Sequence, residues 1–69
     1  MVKQVQVKIY EHYQEMMIPY AQGKYLSYDT ARYVLGLAKV PKVLRMIVIS
    51  EMIEYKYLER INQRELKIV

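Results

Sequence analysis

The stretch LSYDTARYVLGLAKVPKVLR, residues 26–45, decides the fold. Ser27 accepts a hydrogen bond from an early helical N–H, and Asp29 suits the positive end of a helix dipole. Ala31, Val34 and Leu35 supply an apolar stripe, with Tyr28 beside it. Gly36 is the natural residue to close the helix, because it takes the left-handed conformation at no steric cost. These signals predict a short helix over 27–36, which must pack on its neighbours to hold. Pro41 then suits the first position of a further helix, where its missing N–H has no partner to lose.

Reading outward toward the C-terminus, residues 43–54 are VLRMIVISEMIE. Val43, Ile47, Val48 and Ile49 are β-branched, so a buried strand over 46–50 competes. The Pro41 start, the length and the Glu51/Glu54 spacing favour a helix over 41–55. From Tyr57 to Val69 the pattern alternates, with Leu66 and Ile68 on one face against Glu65 and Lys67. Asn62-Gln63 separates two short runs, which predicts a β-hairpin over 57–69 without the usual turn glycine.

Toward the N-terminus, Val2, Val5, Ile9, Tyr13, Met16 and Met17 recur at helical spacing. Val5, Val7 and Ile9 also alternate as a strand would, but the helical spacing persists for about four turns. The reading is a helix over 2–18 that Pro19 ends or kinks, followed by a connector from Tyr20 to Leu26.

Composition sets the bounds. The chain has 69 residues, 54% of them hydrophobic and 26% charged, which fits one small globular domain with a thin core. There is no cysteine, so disulfides and thiolate metal sites are excluded. No apolar run approaches the roughly 20 residues of a membrane span, and MVKQVQVKIY lacks a signal-peptide core. A cytoplasmic protein is expected.

The formal charge of +4 is unevenly placed. In residues 1–20, Lys3 and Lys8 balance Glu11 and Glu15. In residues 51–69, Lys56, Arg60, Arg64 and Lys67 balance Glu51, Glu54, Glu59 and Glu65. Residues 21–50 hold Lys24, Arg32, Lys39, Lys42 and Arg45 against Asp29 alone, so the whole excess falls there. A localised basic surface points to a polyanionic partner.

The order of helix, connector, short helix, turn, longer helix and terminal hairpin resembles a winged helix-turn-helix domain, over Tyr25–Val69. LSYDTARYVLGLAKVPKVLR is similar to its two-helix unit, with Ala31 as the small residue that lets the helices approach. EYKYLERINQRELKIV is similar to its helix end and wing, with Lys56 where the family often has glycine. The resemblance implies double-stranded DNA as partner, with the third helix in the major groove and the wing on the backbone. The implied contacts are Lys24, Arg32, Lys39, Lys42, Arg45, Arg60, Arg64 and Lys67, with Arg45 as the guanine reader. A transcriptional regulator is the expected role.

The third helix departs from that pattern. At about 100° per residue, Val43, Leu44 and Ile47 lie on one side of it and Met46, Ile49 and Ile53 nearly opposite. A helix apolar almost all round is buried on more than one side. A homodimer is therefore expected, through Val5, Ile9, Tyr13, Met46, Ile49 and Ile53. The alternative is a protein-interaction or ribonucleoprotein subunit that docks the same helix on a protein or RNA partner. The eight tyrosines, with no Phe or Trp, suit either half-buried positions or an interface. His12 is the sole histidine, flanked by Glu11 and Glu15, with no nucleophile or phosphate loop beside it. No enzyme, cofactor or metal is expected.

Overall fold

A computed structural model of the chain describes residues 2–69, and side chains from Lys8 onward. The side chains of Val2, Lys3 and Val5, read above as part of the first helix, lie outside the described residues. Three helices and a small antiparallel sheet make up the fold. Helix α1 spans Val2–Met17, α2 spans Tyr28–Leu37 and α3 spans Arg45–Glu54. Strands β1 (Tyr25–Ser27), β2 (Leu58–Arg60) and β3 (Glu65–Ile68) form a sheet in the order β1-β3-β2. This mostly helical arrangement with its C-terminal hairpin is compatible with a winged helix. No helix among the described residues is long and apolar enough to cross a membrane.

Helix α1 ends where Pro19 removes an N–H, and Ile18–Tyr20 continue as one 3-10 turn. Two side chains fasten α1 to the far end of the chain. Gln14 donates its amide to the Tyr57 carbonyl at 2.8 Å and the Val69 carbonyl at 3.1 Å. Tyr10 is buried, donates its phenol to Glu51, and stacks on Tyr55 with ring centroids 5.7 Å apart. Burial first, then the Glu51 hydrogen bond and charge, push the Tyr10 phenol well above its usual range. A pKa raised by folding gives stability that is complete below the unfolded value near 10 and lost as pH climbs past it. Tyr10→Phe is expected to cost about 1–2 kcal/mol at pH 7 and to flatten that alkaline loss, measured by urea unfolding at pH 8 and pH 11.

The connector holds a strand that the sequence pattern does not signal. Gln22 and Tyr25 exchange backbone hydrogen bonds of 2.8 and 3.1 Å around Gly23, whose φ is +66°. Strand β1 then pairs with β3, setting Leu26 opposite Leu66 on the buried face.

Ser27 caps α2 as expected, its hydroxyl accepting from the Thr30 N–H at 3.1 Å. The other end differs from expectation. Gly36 stays helical, and the left-handed residue is Lys39, with φ 67°. The Val40 N–H bonds the Leu35 carbonyl and the Lys39 N–H bonds the Gly36 carbonyl, each at 3.0 Å, which is a Schellman ending. Helix α3 ends the same way, through Tyr57 N–H to Met52 C=O at 2.8 Å and Lys56 N–H to Ile53 C=O at 3.1 Å. Lys56 has φ 70°, so the expected glycine is replaced by a strained lysine whose charge suits the helix C-terminus. Lys56→Gly is expected to raise stability by roughly 0.5–1 kcal/mol, seen as a higher urea midpoint.

The third helix starts later than the sequence suggests. Pro41 has ψ 143° and lies outside it, and Lys42–Leu44 make a 3-10 turn before α3 begins. That turn uses N–H groups that no side chain caps. The core gathers Met17, Val34, Leu35, Ile49, Met52, Leu58 and Leu66, so it joins all three helices to β2 and β3.

Candidate nucleic-acid interface

The β2–β3 loop, residues 61–64, sits where one backbone bond puts it. The Tyr28 N–H, in the first turn of α2, donates to the Arg64 carbonyl at 3.0 Å. The loop holds its shape without glycine because the Asn62 side-chain oxygen accepts from the Arg64 and Glu65 N–H groups, at 2.7 and 2.9 Å. Arg64 is thereby set against the N-terminal end of α2. Arg60 ends β2 on the same face as the buried Leu58, beyond the rim of the core. Arg32 comes from the second turn of α2.

These three arginines line one groove of about 760 Å³ between α2, α3 and the β2–β3 loop. Ser27, Tyr28, Asp29, Met46, Ser50, Ile53 and Gln63 complete it. Arg32 is aimed from both sides: it pairs with Asp29, and its Nη1 contacts the Met46 sulfur at 3.2 Å. Asp29 is the lone carboxylate in the lining, so the groove keeps a positive balance. The groove thus collects guanidinium groups from α2, β2 and the β2–β3 loop, and guanidinium is the side-chain group whose planar fork matches phosphate and carboxylate oxygens.

The other cations expected to touch nucleic acid lie elsewhere. Lys39 and Lys42 are exposed at the junction between α2 and α3. Lys67 lies on the outer face of the sheet between Tyr25 and Glu59, and Lys24 is exposed just before β1. Arg45 is turned back on α2. Its Nε donates to the Val40 carbonyl at 2.9 Å. A Cβ on Gly36 would lie 3.0–3.3 Å from the Arg45 guanidinium, so Gly36 serves this close approach and not a left-handed turn.

The residues expected at a dimer interface do not share one environment. Ile49 is 0% exposed, part of the core of its own chain, so its assignment to an interface is corrected. Its neighbours in sequence are also apolar, and pattern alone does not say which of them faces inward. Tyr13 and Ile53 are half-buried against the core. Ile9 and Met46 remain exposed, Ile9 beside a shallow hollow that it shares with Lys8, His12, Tyr13 and Ala38. Val5 lies outside the described side chains. The tyrosines divide too: Tyr10, Tyr55 and Tyr57 form one cluster around the buried Tyr10, whereas Tyr20 and Tyr33 pair edge to face at the surface.

Sequence reasoning placed the hairpin turn at Asn62-Gln63 but missed Ser50 and Gln63 as groove residues and the Asn62 side chain that closes the turn. Asn62 carries a signal, since Asn and Asp side chains often close turns on their own backbone. Among the described residues, no group of three or more His, Cys, Asp or Glu could hold a metal ion. No family model, curated protein or solved structure matches the chain.

Proposed function

We propose that the chain is a winged-helix protein that binds double-stranded DNA and regulates transcription without a cofactor. The observation that carries this is the convergence of Arg32, Arg60 and Arg64, from α2, β2 and the wing loop, on one groove beside α3. In this reading they hold one phosphate strand while the outer face of α3 enters the major groove. A homodimer would repeat the groove about a two-fold axis, and exposed Ile9 on α1 is the residue best placed to join two copies.

The test is a fluorescence anisotropy titration of a labelled duplex across a salt series, with light scattering for stoichiometry. Three phosphate contacts per chain give a log–log salt slope of about −2.7 or steeper. A slope near zero, or no binding at low salt, overturns the reading. The rival use of this fold, as a subunit that docks on another protein, draws on the exposed apolar residues Val43, Leu44 and Ile47.

A further inference from the structure

The outer face of α3 is unusual for a helix set beside three arginines. The exposed residues from 43 to 54 are Val43, Leu44, Met46, Ile47, Ser50 and Glu54. Ile47, Ser50 and Glu54 recur every three or four positions along α3 and form one ridge, with Met46 on its groove side and Val43, on the 3-10 turn just before α3, at its start. Val43 is 82% exposed and Ile47 55%. The ridge contains no Arg, Lys, Asn or Gln, the residues that grip guanine or adenine through paired hydrogen bonds. Arg45, one position from Met46, faces away and is committed to Val40 and Gly36.

We infer that α3 and the 3-10 turn before it read thymine methyl groups through Val43, Met46 and Ile47, so that the site is A·T-containing and no guanine is grasped. This rests on the duplex-binding reading above. The major-groove edge of thymine is the one base edge that offers an apolar group. Charge selects this occupant over a second copy of the chain. The ridge is flanked by Arg32, Arg60 and Arg64 on one side and approached by Lys39 and Lys42 at its start. A duplex meets those cations with phosphates. A second copy docked by the same ridge would meet them with like charges. Glu54, at the far end, keeps phosphate from that end, so the N-terminal half of the ridge enters the groove.

The experiment compares a 20-base-pair alternating dA–dT duplex with the same duplex carrying dU in place of dT. The two differ only in the thymine methyls. Each methyl buried should be worth about four-fold in affinity, so two contacts give more than ten-fold weaker binding to the dU duplex. The double variant Val43→Ser, Ile47→Ser should keep no more than the roughly four-fold dT preference that one remaining contact, Met46, supplies, with the same salt slope. Arg45→Ala should keep the full dT preference. Strong binding with equal affinity for dT and dU overturns the inference and leaves the duplex reading standing. Binding to neither duplex overturns both. A dT preference undiminished in the double variant, or self-association that the double variant abolishes without a dT preference, also overturns it.

Discussion

Replacing Arg32, Arg60 and Arg64 together with alanine is expected to weaken duplex binding about 10²-fold at roughly 0.15 M salt, and to lower the salt slope by about 2.7. Each arginine on a phosphate releases close to 0.9 counterion, and at that salt concentration one such release is worth about five-fold. The loss should fall equally on all sequences, because phosphate contacts set position and carry no base information. Arg60 and Arg64 are exposed, so their removal leaves the core untouched, and far-UV circular dichroism should match the parent. Arg32 differs. Its loss leaves Asp29 unpaired at the groove, so Arg32→Ala should weaken binding more than Arg60→Ala or Arg64→Ala does. An unchanged slope in the triple variant would mean that the groove is not where phosphate sits.

How much of the fold is legible in the sequence follows from which interactions are local. Ser27, Asp29 and the Ala31-Val34-Leu35 stripe define α2 within one segment, and all three apolar residues are fully buried. The C-terminal hairpin is likewise readable from alternation. Strand β1 is not, because three residues have no period, and Tyr25–Ser27 become a strand only by pairing with Glu65–Lys67 far along the chain. The helix ends escape for another reason. Propensity assigns a positive φ to glycine, yet Lys39 and Lys56 take it, held by Schellman bonds, with Val40 and Tyr57 packed inward behind them. Gly36 stands out in the sequence, but its purpose depends on where Arg45 comes to rest. The groove is half legible. Charge and resemblance single out its arginines, but their convergence depends on a bond between Tyr28 and Arg64, which no local pattern announces.

Ile49 and Ile47 show what such ambiguity costs and how to resolve it. They stand two residues apart in an apolar run, so their side chains point to different sides of α3. Ile49 is fully buried and Ile47 is 55% exposed. Ile49→Ala removes three carbons from a packed site in the core, which costs about 2–5 kcal/mol. A chain of 69 residues has a total stability of roughly 3–10 kcal/mol, so this variant should lose a large part of its stability and in the worst case unfold. Ile47→Ala should stay within about 0.5 kcal/mol, as surface substitutions do. Urea unfolding of both variants at two protein concentrations separates the roles. The deficit of Ile49→Ala should be the same at both, because the side chains that Ile49 packs against belong to its own chain. Were Ile49 instead part of a subunit interface, its deficit would shrink on dilution and vanish once both chains were monomeric. The opposite ranking, with Ile47→Ala the more costly, would place the wrong face of α3 in the core and remove the apolar ridge with it.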